Sequence, residues 1–445
     1  MASTDQASLL ILRARSSEYT AIPMEEALSI VSKEVVDRTD VKEVTLDVIQ
    51  LDSVSASPVI AQHSCPSVRL SAKDGYAVLS KDGAGIRKVV ANTTAGSGIA
   101  TFKLQEGQCC RVSTGSMVPD GADAVVMVEH TKLLQHDNVE ELEIEISMHP
   151  IPEQDIRQIG SDFKKGDILV NENTRIGPAE IAMIRQSGQL DIEVFRRPRV
   201  CVLSTGNELV EASSQNIADG MIRDSNRPQL LSLFKSYNFH GIDAGIAIDN
   251  RNKLVEAIEE AFRFSNVLVT SGGVSMGEKD LLKSVLTEDF NFKIHFGRVF
   301  MKPGLPTTFA TGKYKTEGKR YVFALPGNPV SSFVTAHLFV VPALLKMAGQ
   351  KVLEPLQGHP KMNVKLLDDI KLDARPEYRR AWLDLDLSDN MPRAKLTFGN
   401  NASSAQINTV TANILLELPA SSVDRRVMKR GEIVQALIIS KIWLN

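Results

Sequence analysis

Three runs of small residues follow apolar segments in this chain. They are Ser204-Thr205-Gly206-Asn207-Glu208, Thr270-Ser271-Gly272-Gly273-Val274-Ser275-Met276-Gly277 and Leu325-Pro326-Gly327-Asn328-Pro329-Val330-Ser331-Ser332. Glycine lets backbone N–H groups approach an anion, and a helix starting just after adds a favourable dipole. None of the three matches GxGxxG or GxxxxGK[ST], so a dinucleotide or P-loop reading is poor. Carboxylates lie close by in sequence at Asp224, Asp249 and Asp280. Phosphate-holding loops beside carboxylates suggest a divalent cation with oxygen ligands, as Mg²⁺ prefers. Asp280 precedes LLKSVL and suits a plain helix N-cap equally well, so both readings stay open. The cationic candidates are Lys302, in a loop stiffened by Pro303 and Pro306, and the run Arg375-Pro376-Glu377-Tyr378-Arg379-Arg380. Ser403 and Ser404 offer hydroxyls. A rigid lysine suits an oxyanion; a solvated surface lysine is the plain alternative. The histidines show no HxxxH spacing, no GxSxG elbow occurs, and no cysteine sits in a nucleophile motif.

The elements that must position these residues follow from pattern. A helix is predicted over about 23–36, with Pro23 at its start, Glu25 and Glu26 in its first turn and an apolar face of Ala27, Leu28, Ile30 and Val31. From about 44 to 170, short β-rich pieces are broken by Gly, Asp and Pro, which reads as a small barrel or sandwich. The polar stretch LLQHDNVEELE within it reads as a hairpin tip or loop. A second helix is predicted from Gly177-Pro178 to near Gly188. Strands then alternate with helices over 198–348, the signature of a parallel, doubly wound sheet. In such a sheet ligands gather beyond the carboxyl ends of the strands, where all three small-residue loops fall. After Gly349 short strands return and predict a C-terminal β-barrel. The expected fold class is therefore α/β plus β modules.

Composition narrows the function. With 51 Lys+Arg against 54 Asp+Glu in 445 residues, the net charge of −3 argues against nucleic-acid binding by bulk charge. An aromatic content of 5% argues against a base-stacking platform. Apolar residues at 43% and charged residues at 24% fit an ordinary globular protein with sizeable cores. Four cysteines, Cys65, Cys109, Cys110 and Cys201, form no CxxC pair and read as free thiols in a reducing compartment. No membrane span is expected. At the N-terminus Arg13 and Arg15 follow the short LLIL patch instead of preceding it, the wrong order for a secretory signal, so the cytoplasm is the expected location.

Taken in order, the motifs resemble the molybdopterin molybdotransferase (molybdenum insertase) family, in particular the branch of the gephyrin E domain. The matching stretches are SAKDGYA at 71–77, RVSTG at 111–115, PDGADAVV at 119–126, DIRQIG at 155–160 with Asp162, and STGNEL at 204–209. They continue with IRDSNR at 222–227, SGGVSMG at 271–277, MKPGLPTTF at 301–309, LPGNPV at 325–330 and RPEY at 375–378. The resemblance runs from about Glu18 to the C-terminus.

It implies four subdomains: I, linker and helical, at 18–60 with 171–197; II, β-rich, at 61–170; III, the α/β molybdopterin-binding part, at 198–348; and IV, the β-barrel, at 349–445. It implies a homodimer, Mg²⁺, and insertion of molybdate into adenylylated molybdopterin with release of AMP. Ser271, Gly272, Gly273, Ser275, Gly327, Asn328, Thr114, Glu208 and Asp74 would hold the molybdopterin adenylate. Lys302, Pro303, Arg380 and Ser404 would hold molybdate. Asp280, Lys302 and Asp224 would serve the chemistry, Asp280 and Asp249 the metal, and Asp162 a further cleft position. The chain departs from the family pattern at Leu305, Asn207, Asn250 and Ala405, the first and last each removing a cation. A separate adenylyltransferase protein is expected to supply the substrate. The rival reading is a weakened, gephyrin-like scaffold binding a receptor-loop peptide in a groove of Tyr19, Tyr378 and Pro419, an aromatic pair with a proline.

Overall fold

The computed structural model describes residues 19–35, 41–45, 49, 51–96, 102–273, 281–315, 318–385, 391–397 and 401–440. The chain forms two compact units, one of Met1–Lys42, Leu51–Val54 and Val194–Asn445, the other of Glu43–Gln50 and Ser55–Glu193.

The second unit is built on six strands, β1 (Gly75–Val78), β2 (Gly85–Thr93), β3 (Gln108–Val112), β4 (Ala124–Met127), β5 (Thr131–His136) and β6 (Glu141–Ile146). They pair in the order β4-β1-β3-β2-β6-β5. The expected small barrel or sandwich is thus a curled sheet with β4 and β5 at its two edges. β5 is exposed along nearly its whole length, so nothing draws a further strand onto it. The polar stretch after Lys132 is the β5–β6 hairpin, its tip held by the Asp137 carboxylate accepting from the Val139 and Glu140 N–H groups. The helix Pro178–Ser187 closes as its sequence predicts: Glu180 Oε2 accepts from the Gly177 N–H at 2.9 Å, and Gly188 ends it at φ +83°.

The first unit holds a six-stranded sheet of β7 (Val200–Thr205), β8 (Gly241–Ala247), β9 (Val267–Ser271), β10 (Lys293–Phe296), β11 (Thr308–Lys313) and β12 (Lys319–Leu325). The order is β8-β7-β9-β12-β11-β10. The first four are parallel; β11 and β10 add antiparallel pairs. The parallel reading therefore stops at β12, because the short turn closed by Tyr314 N–H on the Gly318 carbonyl permits only a hairpin. Helices α1 (Asn226–Ser236), α2 (Arg251–Phe264) and α3 (Pro329–Met347) cover the sheet.

Period-two alternation divides the buried side chains between two faces. Val200, Val202, Val267, Val269, Phe323 and Leu325 pack with α1 and α3. Cys201, Leu203, Leu268, Val322 and Ala324 pack with α2 on the other side. Truncating a fully buried aromatic such as Phe323 to Ala would cost about 3–5 kcal/mol.

By length and composition α3 could cross a membrane, which the sequence reading excluded; here 83% of its apolar window is buried as a core helix. It carries Ser331, Ser332, Thr335 and His337 into the interior, and a π turn over Ala336–Val340 precedes Pro342, whose missing N–H interrupts the ladder.

Beyond it lies a closed barrel of β13 (Lys361–Leu366), β14 (Glu377–Asp384), β15 (Arg393–Leu396), β16 (Ile414–Leu418) and β17 (Ile433–Ile438), in the order β13-β15-β14-β16-β17. Leu415, Leu437 and Ile439 of the barrel join the core under α3, so sheet and barrel share one apolar interior.

At that junction His337 is fully buried against Phe333, Tyr237 and His359. His359 bonds the His337 carbonyl at 2.8 Å, and the Tyr237 hydroxyl donates to the Ile439 carbonyl at 3.1 Å. Burial pushes both imidazoles below their ordinary range, His337 furthest, where a charge on His359 would add to the effect; backbone bonds to His337 and Ile438 partly offset it at His359. Such groups are neutral when folded but take up protons when unfolded, so they stabilise the fold above about pH 6.5 and lose that contribution as pH falls towards the depressed folded values. Melting temperature should therefore drop steeply between pH 7 and pH 5, and His337→Leu should flatten that slope; an equally steep slope in the variant would remove His337 from the account.

Candidate active site

The three small-residue loops meet at the carboxyl edge of β7, β9 and β12. Gly272 has φ +95°, and a Cβ there would lie 2.2 Å from the Thr205 carbonyl oxygen. Gly273, at φ +70°, would put one 2.7 Å from Thr205 Oγ1. Only glycine tolerates both the backbone angle and the approach. A Cβ on Gly327 would sit 3.4 Å from Gly272 Cα, so the third loop rests on the second. Around this edge Ser204 Oγ, Thr205 Oγ1, Thr270 Oγ1 and Ser332 Oγ are buried without a partner among the described residues. A buried hydroxyl left unpaired costs about 1–3 kcal/mol, and such groups collect where a ligand completes the network.

Asp224 and Asn226 start α1. Asp224 is 1% exposed; its carboxylate accepts from the Arg227 N–H at 3.2 Å and from Arg227 Nε at 2.8 Å. Glu211, at 2.5 Å, and Asp243 complete a three-carboxylate ring around that buried guanidinium. Burial opposes the charge on Arg227, but the carboxylates outweigh it and push its pKa up. Asp224 is thus committed inward to Arg227. Glu208 and Asp249 are exposed at the strand ends, the Asp249 N–H donating to Asn207 Oδ1 at 3.0 Å. Asn250 caps α2 by accepting from the Lys253 N–H, which explains an amide there without any ligand. Ser275 and Asp280 lie outside the described residues.

Lys302 is fixed by its backbone. Its N–H donates to the Pro376 carbonyl and its carbonyl accepts from Tyr378, both at 2.8 Å, so the loop is stitched to the start of β14. Its Nζ meets Asp373 at 3.0 Å and the buried Glu377 at 3.6 Å. Glu377 also takes Arg379 at 2.9 Å and the Asn401 amide. Two residues are one strand repeat, so Glu377 and Arg379 share a face and Arg380 points to the other. Arg380 is 3% exposed, makes no ion pair among the described residues, and leaves Nε unpartnered. Burial lowers its pKa to about 10 despite the favourable field of Glu377.

Pro303 is buried behind Lys302. Asn328 Nδ2 donates to Ser403 Oγ at 2.9 Å and Val330 N–H to the Ser403 carbonyl at 3.1 Å, so the third loop also holds the turn carrying exposed Ser404. Sheet edge and barrel therefore bring Ser271, Gly272, Gly273, Gly327 and Asn328 onto one unit with Lys302, Arg380 and Ser404. Asp74, Thr114 and Asp162 belong to the other unit. There Asp74 Oδ1 accepts from the Thr114 N–H at 2.8 Å, and Asp162 pairs with Arg157 at 2.6 Å.

Tyr19 lies under Lys283, 4.8 Å from its ring centroid, Tyr378 packs on the shared core, and Pro419 is exposed after β16. Sequence reasoning missed Asn226, Asp373 and the counter-ion role of Glu377. The Glu377–Arg379 pairing was readable from strand periodicity; the other contacts join distant segments. Among the described residues no three His, Cys, Asp or Glu side chains group as a metal site.

A doubly wound sheet with glycine loops at its carboxyl edge, joined to a barrel that carries a buried arginine, has the layout of a ligand-binding α/β protein. Residues 22–188 match the MoeA N-terminal region (domain I and II), and residues 201–346 match the probable molybdopterin binding domain. The chain is 36% identical over 96% of its length to the molybdenum cofactor synthesis protein cinnamon of Drosophila melanogaster, of which it spans 67%. It is 34% identical over 96% of its length to gephyrin of Dictyostelium discoideum, spanning 64% of that protein. With the molybdopterin molybdenumtransferase of Nostoc sp. identity is 34%, covering 82% of each chain. The crystal structure of the molybdopterin biosynthesis moeA protein from Pyrococcus horikoshii superposes with TM-score 0.71 at 25% identity, covering 94% of this chain and all of that one. The chain belongs to the molybdopterin molybdenumtransferase family.

Arg380→Met tests the anion reading. Replacing a buried charge that makes no ion pair among the described residues with an apolar side chain should leave the melting temperature unchanged or raise it. It should also weaken binding of molybdate, measured by calorimetry, at least tenfold, by loss of a charge-assisted contact. Unchanged molybdate affinity would place the anion elsewhere.

Proposed function

We propose that this chain is the transferase that inserts molybdate into adenylylated molybdopterin, releasing AMP and completing the molybdenum cofactor. One observation carries the reading: a buried guanidinium, Arg380, makes no ion pair among the described residues and lies on the strand whose first residue, Glu377, bridges to a backbone-fixed lysine. Molybdate is a tetrahedral dianion, and an arginine, a lysine and the Ser404 hydroxyl match its oxygens. Asp373 and Glu377 neutralise Lys302 in the free protein, so anion binding would exchange one counter-ion for another.

In this reading the strand-end loops hold the other substrate. N–H groups of Gly273 and Gly327, with Ser271 and Asn328, would meet its phosphates; the Gly272 N–H is committed to the Leu325 carbonyl at 3.2 Å, so Gly272 serves by its lack of a side chain, and Ser275 and Glu208 are assigned to the same substrate by resemblance. Asp224 acts through Arg227 by fixing the start of α1. The resemblance assigns Asp74, Thr114 and Asp162 to substrate binding, and the four-part division of the chain goes with it. Magnesium is the ion we assign to Asp249 and Asp280. Asp249 suits it, being an exposed carboxylate at a strand end with no ion pair among the described residues. Bound there, it would neutralise charge on the phosphoanhydride. Lys302 is placed to stabilise developing negative charge as AMP departs. The homodimer, a separate adenylyltransferase partner and a cytoplasmic location belong to the same proposal; the free thiols of Cys65, Cys109, Cys110 and Cys201 fit a reducing compartment. The peptide-scaffold reading gains no particular support, since Tyr19 packs with Lys283 and Tyr378 with the core.

The deciding assay supplies adenylyl-molybdopterin, molybdate and Mg²⁺ to the chain and to Asp280→Ala. Cofactor and AMP should form with the unaltered protein, at least a hundredfold more slowly with the variant, and a chelator should stop the reaction until Mg²⁺ is restored. Failure of the folded, unaltered protein to release AMP would discard the enzyme reading in favour of the scaffold.

A further inference from the structure

We infer that Asn226 is a positioning residue that turns Ser271 into a hydrogen-bond donor and locks two of the strand-end loops together. The inference rests on the function proposed above. Asn226 is 8% exposed at the first turn of α1. Its Nδ2 donates to the Gly327 carbonyl at 2.7 Å and to Ser271 Oγ at 2.7 Å. A carbonyl can only accept, so the contact with Gly327 fixes which end of the carboxamide is the NH₂ group. Both amide protons are then committed, one to each loop.

The consequence lies at Ser271. A hydroxyl carries one proton and can both accept and donate. Because Asn226 supplies a proton to its oxygen, the Ser271 O–H is released to donate, and no other described side chain claims it. It stands at the end of β9, directly before Gly272, on the edge where neighbouring hydroxyls are unpaired. A donor aimed from that position suits a phosphate oxygen of the bound adenylate. The second amide proton holds Gly327 against Gly272, which keeps the backbone N–H groups of both loops in one array. Asn226 touches no reacting atom in this scheme; it sets the polarity and spacing of groups that do.

Asn226→Asp tests this with almost no change of shape. A carboxylate cannot donate to Gly327, and it would accept from Ser271, turning the hydroxyl away from the ligand. The KM for adenylyl-molybdopterin should rise about tenfold to a hundredfold, the loss expected for a hydrogen bond to a charged group. The KM for molybdate, held by Lys302 and Arg380, should stay within about twofold. Ser271→Ala alone should show much of the same loss, and the double variant should be little worse than Asn226→Asp alone, because the two act through one contact. Should Asn226→Asp fail to fold, Asn226→Ser retains one donor and should give an intermediate rise in the same KM. Equal loss of both KM values, or fully additive effects with Ser271→Ala, would reduce Asn226 to a general packing role and overturn the inference. An unaltered protein that binds no adenylyl-molybdopterin would instead refute the proposed function, and the inference with it.

Discussion

The backbone pair between Lys302 and the start of β14 is the constraint on which the candidate site depends. Two hydrogen bonds of 2.8 Å, to Pro376 and from Tyr378, join a loop of the α/β sheet to the first residues of a barrel strand. Without them Lys302 and Arg380 would belong to separate layers. With them, the strand's period-two geometry sets both charges: Glu377 lies beside Lys302 and Arg379, while Arg380 turns to the opposite face. The shared apolar core beneath α3, which includes Leu415, Leu437 and Ile439, keeps that junction rigid.

The charge arrangement around the junction is unequal. Arg227 is buried with three carboxylates and is electrostatically satisfied. Arg380 is buried with no ion pair among the described residues, Glu377 favouring its charge only through the field. Taking a guanidinium out of water costs several kcal/mol unless a partner compensates it. The fold leaves Arg380, unlike Arg227, without an ion pair among the described residues, which is the ground for proposing Arg380 as an anion contact and Arg227 as architecture. The unpaired hydroxyls at the ends of β7 and β9 follow the same logic on a smaller scale.

The two substrates of the proposed reaction make different demands. A phosphate-bearing adenylate needs many weak donors in a fixed array, which the glycine loops would supply. A small dianion needs few strong ones, the role proposed for Lys302 and Arg380. Placing the first on strand ends and the second at the sheet–barrel junction lets each be rigid by its own means. Asn226 and Asn328 are the links: one ties two loops of the sheet edge, the other ties the third loop to the barrel turn at Ser403.

Much of this was legible in the residues alone. Alternating β and α patterns located the sheet, its carboxyl edge and the three glycine loops, because period and punctuation are local properties. The barrel strands were legible for the same reason. The curled sheet of the second unit read equally as a barrel or a sandwich, since strand pattern does not report whether edges meet. The long helix Pro329–Met347 is apolar enough to cross a membrane, and only the burial of 83% of its apolar window distinguishes it as a core helix. The tertiary structure alone decided which carboxylates are counter-ions. Asp224 looks like a site acid in sequence, yet it faces Arg227; Glu377 looks like a strand residue, yet it neutralises Lys302. The first pair is local, three residues apart at the start of α1, but the second joins segments far apart in sequence, as do the contacts of Arg227 with Glu211 and Asp243. Residue types determined which chemistry was available; three-dimensional proximity determined which charges were already spent.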